Sequence, residues 1–103
     1  MNTIPKLSGA AVQGQTIAIT VFGKVQGVFY RQSAKEIAQE IGITGEVKNL
    51  ADGSVYIIAT GTKDKLDKLL AWCRHGPPKA NVLSIETKEL SIQQFDGFSI
   101  VRR

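Results

Sequence analysis

Cysteine, histidine and long apolar runs are what this sequence has least of, and each scarcity excludes a class of protein. Cys73 is the single cysteine in 103 residues, so no disulfide can form within the chain and a reducing compartment is allowed. No Cys-x-x-Cys pair occurs and His75 stands alone, which argues against a dedicated zinc site. No apolar stretch approaches the roughly 20 residues that a membrane-spanning helix needs. A Walker A loop is missing too, because no glycine is followed by Lys-Ser or Lys-Thr. The first fourteen residues, MNTIPKLSGAAVQG, have neither the basic start nor the continuous apolar core of a secretory signal. A loose polar tail over 1–14 is expected, followed by one domain over 15–103.

What is present is an ordinary globular balance. Hydrophobic residues make up 43% of the chain, charged residues 21%, and the net charge is +4. That excess favours phosphates, nucleic acid or a membrane surface mildly, and a solvated surface accounts for it equally well. Charge alone decides nothing.

Residues 15–22, QTIAITVF, carry Ile17, Ile19 and Val21 at alternate positions and predict a strand. Ser33 and Glu36 have capping-box spacing, and Ala34, Ile37, Ala38 and Ile41 recur on one helical face, ending at Gly42. The helix is expected to start between Tyr30 and Ser33. Strands over 43–50 and 54–60 join through Ala51-Asp52-Gly53, whose Asp-Gly suits a tight hairpin. Val55, Ile57 and Ala59 face one way and Tyr56, Ile58 and Thr60 the other, as in an interior strand. Thr62 caps a second helix with the stripe Leu66, Leu69, Leu70 and Cys73, which Gly76-Pro77-Pro78 ends. Trp72 reads as a packing residue. Strands over 81–89 and 97–101 follow, with no repeat, linker or low-complexity segment. The order β-α-β-β-α-β with a terminal addition predicts an α+β, ferredoxin-like split βαβ sandwich. Both helices would lie on one face of an antiparallel sheet.

Such a fold hosts many functions, so function has to come from a site. The candidate is the link between the first strand and first helix, where a glycine-containing loop meets a helix N-terminus. Unpaired N–H groups and the helix dipole suit a phosphate there. Arg31, at the same junction, can fork onto two phosphate oxygens. On physics alone, a phosphate cradle and a pair of plain turn glycines with a surface arginine remain equal alternatives.

The motif Gly23-Lys24-Val25-Gln26-Gly27-Val28-Phe29-Tyr30-Arg31 resembles the acylphosphatase signature G-x-V-Q-G-V-x-[FY]-R at every fixed position. The stretch Gly45-Glu46-Val47-Lys48-Asn49, with the hairpin glycine Gly53 and Val55, is similar to that family's second signature. Gly61, Gly76-Pro77-Pro78 and Gly97-Phe98-Ser99-Ile100 also resemble family features, so the likeness spans about 15–103.

The resemblance implies a metal-independent hydrolase of carboxyl-phosphate bonds, without cofactor, acting as a cytoplasmic monomer on a small acyl phosphate. It implies that Arg31 holds the phosphoryl group with backbone N–H groups of Gln26, Gly27, Val28, Phe29 and Tyr30. Asn49 would orient the attacking water. Neither nucleic acid nor membrane is an expected partner. One departure is Glu46, where the family has an aromatic residue. Close to the phosphate its charge would oppose binding; facing solvent it matters little. Glu46 is also what favours the alternative, a non-catalytic phosphate-binding or regulatory ferredoxin-like domain, such as the acylphosphatase-like part of larger maturation proteins. An RNA-binding reading is weaker, since Tyr56 has no RNP-like run around it.

Overall fold

Alternating β-branched residues put Ile17, Ile19 and Val21 on one side of the first strand, and the rest of the molecule is built against that side. The computed structural model describes residues 14–102. The expected tail lies outside these residues except for Gly14, which opens the first strand. Five strands, β1 (Gly14–Lys24), β2 (Thr44–Asn49), β3 (Val55–Thr62), β4 (Asn81–Leu90) and β5 (Phe98–Val101), form one sheet in the order β4-β1-β3-β2-β5. Two helices, α1 (Tyr30–Ile41) and α2 (Lys63–Cys73), complete the split βαβ arrangement.

β3 sits at the centre, as its two apolar faces predict. Ile57 lies opposite Ile19 of β1 and Val47 of β2, and Val55 lies opposite Val21 and Asn49. These inward residues form one buried core with Ala34 and Ala38 of α1 and Leu66, Leu69 and Cys73 of α2, so both helices cover the same face. The first four strands pair antiparallel. β5 adds parallel to β2, with Ile100 beside Val47 and Val101 beside Lys48. The terminal strand therefore makes the sheet mixed, a detail that element order did not dictate.

α2 begins where expected: Thr62 Oγ1 accepts from the Lys65 N–H at 3.4 Å. α1 does not begin with its capping box. Phe29 is its N-cap in a left-handed conformation, without a side-chain cap, and Ser33 lies inside the helix with its N–H donating to the Phe29 carbonyl at 3.0 Å. Glu36 instead accepts from the Gln32 side chain at 3.0 Å. The start is set by the loop before it.

Candidate active site

Two features force the β1–α1 link, Val25 to Phe29, to curl. Gly23 has φ +126°, and a Cβ there would run into the Asn81 carbonyl oxygen of β4. Only glycine lets β4 close against the base of the loop, at the register shift between Phe22 and Gly23. Further on, Gly27 has φ +75° and Phe29 has φ +67°. Left-handed residues at alternate positions turn successive N–H groups toward one concavity, an anion-binding arrangement. No N–H from Gln26 to Tyr30 donates to another described residue. Phe29 is not a glycine, so the conformation carries a strain of order 1 kcal/mol that the surroundings hold in place.

The loop is anchored on both sides. Val25 and Val28 are buried in the core. The Gln26 side chain crosses to the β2–β3 hairpin, where its Nε2 donates to the carbonyls of Leu50 and Ser54, each at 2.8 Å. Asp52 closes that hairpin, its carboxylate accepting from the Ser54 N–H at 2.9 Å and Oγ at 2.6 Å. Those two bonds hold its carboxyl below the ordinary carboxylate value. Tyr30 is buried under the loop. Its hydroxyl donates to the Cys73 carbonyl at 2.8 Å and its ring lies 5.1 Å from Trp72, tying the start of α1 to the end of α2. Burial pushes the Tyr30 phenol far up and the Cys73 thiol to about 12, so neither ionises near neutrality.

A cavity of about 440 Å³ opens above the loop, lined by Val25, Gly27, Phe29, Tyr30, Arg31, Gln32, Asn49, Ile100 and Arg102. It gathers the two side chains singled out by sequence, Arg31 from α1 and Asn49 from β2, with three of the five loop residues. Gln26 and Val28 do not line it; their side chains serve as the anchors just described. Asn49 points to the helix side of the sheet, like Val47 two residues before it. Its Oδ1 is buried and has no hydrogen-bond partner among the described residues. Among the described residues, the charged ones that line the cavity are both arginines, Arg31 and Arg102. The one ion pair among the described residues, Lys63–Asp67 at 3.1 Å, lies elsewhere, on the exposed side of α2.

Glu46 is not part of this wall. It alternates with Val47 on β2 and pairs with Ile58 and Ser99, so it lies on the uncovered side of the sheet. Sequence reasoning missed three things here: the Gln26 side-chain bridge, the exposed Phe29 ring and Arg102. The first two hide inside the motif, where a pattern gives residue types but not directions. Arg102 is brought to the site only by the parallel pairing of β5.

The acylphosphatase family model matches residues 17–100. The chain belongs to the acylphosphatase family. It is 45% identical over 87 residues to an acylphosphatase of Methylococcus capsulatus, covering 84% of this chain and 95% of that protein. The structure of an acylphosphatase from Coxiella burnetii superposes with a TM-score of 0.85 at 37% identity, over 88% of this chain and 96% of that one. Full-length HypF, in a phosphate- and nucleotide-bound form, carries a similar unit. It matches with a TM-score of 0.77 and 27% identity over 86% of this chain and 12% of its own. Acyl phosphate hydrolysis is thus the activity of this acylphosphatase, and the family match supports the hydrolase over the non-catalytic module.

Proposed function

We infer that the cavity between the β1–α1 loop and the end of β2 hydrolyses acyl phosphates, with Arg31 and Asn49 in separate roles. The observation that carries this reading is that both side chains line one cavity with the curled loop. Arg31 and the N–H groups of Gln26 to Tyr30 receive the equatorial phosphoryl oxygens. Charge-assisted bonds from a preset frame stabilise those oxygens as the transferring group loosens. Asn49, lining the same cavity, holds the attacking water in place so that a water lone pair meets phosphorus.

The reaction asks little more. A new oxygen–phosphorus bond forms from water, the bond to the acyl oxygen breaks, and the carboxylate leaves with the electron pair. The leaving anion is stable without protonation, and the water proton passes to a phosphoryl oxygen of the substrate itself. No side-chain base is required, consistent with a lining that, among the described residues, holds no Asp, Glu, His or Cys.

A small acyl phosphate, rather than nucleic acid, is the partner this reading takes. A monomer in the cytoplasm fits the small single fold and the lone buried thiol of Cys73. No helix among the described residues is long and apolar enough to cross a membrane. The test is hydrolysis of benzoyl phosphate in EDTA by the wild type and Arg31→Ala. Chelator-resistant turnover that falls about 10²–10³-fold in the variant supports the reading, and near-normal turnover by Arg31→Ala overturns it.

A further inference from the structure

We propose that Arg102 is a second phosphoryl-binding residue, forming a two-guanidinium clamp with Arg31; the proposal rests on the phosphoryl site described above. The residue comes to the site through sheet register. β5 runs parallel to β2, with Ile100 beside Val47 and Val101 beside Lys48. Arg102 directly follows Val101, the last paired residue of β5. It lines the cavity together with Ile100, Asn49 and Arg31.

Charge gives the second argument. Neither guanidinium makes an ion pair with a described residue, and no acidic residue is among the described residues that line the cavity they share. Like charges brought to one concavity repel unless an anion lies between them, so such a pair marks an anion site. The electropositive loop adds its N–H groups on the same side. A phosphoryl group with three equatorial oxygens has more acceptor capacity than one guanidinium fork fills.

In-line geometry decides which part of the substrate Arg102 meets. Water enters on the side of Asn49, and the acyl group leaves on the opposite side of phosphorus. A residue sharing the cavity wall with Asn49 therefore reaches the equatorial oxygens and the entering side before it reaches the acyl chain. Arg102 is solvent-exposed. Its guanidinium swings onto the phosphoryl group once substrate is seated, whereas Arg31, half-buried at the first turn of α1, is set in advance.

The test combines two readouts on wild type, Arg102→Gln and Arg102→Lys. The first is titration with inorganic phosphate, followed by calorimetry. The second is kcat/KM for acetyl phosphate and for benzoyl phosphate. The expected result is phosphate binding weakened about tenfold in Arg102→Gln, a similar fall in kcat/KM for both substrates, and partial recovery in Arg102→Lys. Unchanged phosphate affinity in Arg102→Gln overturns the proposal. So does a loss confined to one substrate, which would place Arg102 against the acyl group. Absence of turnover in the wild type would defeat the hydrolase reading instead, and the phosphate titration would still decide the role of Arg102.

Discussion

The side-chain amide of Gln26 donates to the carbonyl of Leu50, the residue after Asn49, at 2.8 Å. With its second bond to Ser54, it makes the β1–α1 loop and the end of β2 one hydrogen-bonded unit. Under the roles proposed for Arg31 and Asn49, that side chain would set the distance between phosphoryl group and water. Both carbonyls keep another donor, Gly53 N–H for Leu50 and Leu50 N–H for Ser54, so removing Gln26 loosens the joint without orphaning them.

Gln26→Ala should cost about 1–3 kcal/mol of stability, the range for two such bonds, and should lower kcat as well. Urea unfolding and steady-state kinetics on the same preparations read both. The double variant with Asn49→Ala isolates the positioning role: once Asn49 is absent, loss of Gln26 should lower kcat little further. Stability loss with unchanged kcat would make Gln26 a structural joint only.

Asn49 carries an opposite signature. Its buried Oδ1 lacks a partner among the described residues, and an unpaired buried acceptor costs about 1–3 kcal/mol. Asn49→Ala should therefore leave the fold as stable as wild type or more so, while kcat falls about 10²-fold through lost water placement. Inhibition by inorganic phosphate should change far less than kcat. A destabilised Asn49→Ala variant with weakened phosphate inhibition would assign Asn49 to structure and binding.

Much of this was legible before folding, for physical reasons particular to each element. Period-two alternation in β1 and β3 and the helical stripe Leu66, Leu69, Leu70 and Cys73 are local patterns; most of the residues they predict are buried, with Ile17 and Leu70 partly so. Arg31 and Asn49 share a cavity because the motif fixes the loop while β2 is held beside β3. α1 starts at Tyr30, inside the expected range, but its cap differs from the expected one for a reason that is also physical. Ser33 and Glu36 have the spacing of a cap, but the left-handed Phe29 already turns the chain into the helix four residues earlier. Gln26 and Arg102 were illegible in their roles, since one depends on carbonyls 24 and 28 residues away and the other on a parallel pairing.

The Tyr30–Cys73 joint predicts alkaline sensitivity. Burial raises the Cys73 thiol from 9.0 to about 12, and raises the Tyr30 phenol too. The unfolded chain releases the thiol proton near its ordinary value, while the folded chain keeps it. Between those values the unfolded state binds fewer protons, so stability is full below pH 9.0 and falls as pH rises toward about 12. The slope from one such group is up to about 1.4 kcal/mol per pH unit. Urea midpoints measured from pH 8 to 11 should fall less steeply in Cys73→Ala than in the wild type. Parallel slopes would remove Cys73 from the explanation.

Glu46 supplies the last prediction, because the sheet separates it from the chemistry. It stands opposite Ile58 and Ser99 on the uncovered side, whereas Arg31, Asn49 and the loop meet on the helix side. The sheet lies between its carboxylate and the cavity, and solvent on the open face screens the charge over about 8 Å at physiological salt. Glu46→Gln should change phosphate inhibition by less than twofold. Glu46→Phe should gain a few tenths of a kcal/mol from cross-strand packing on Ile58, with turnover little altered. Phosphate affinity rising tenfold in Glu46→Gln would show that the carboxylate does oppose the substrate. On the geometry, the face of β2 on which it lies sets Glu46 apart from the site.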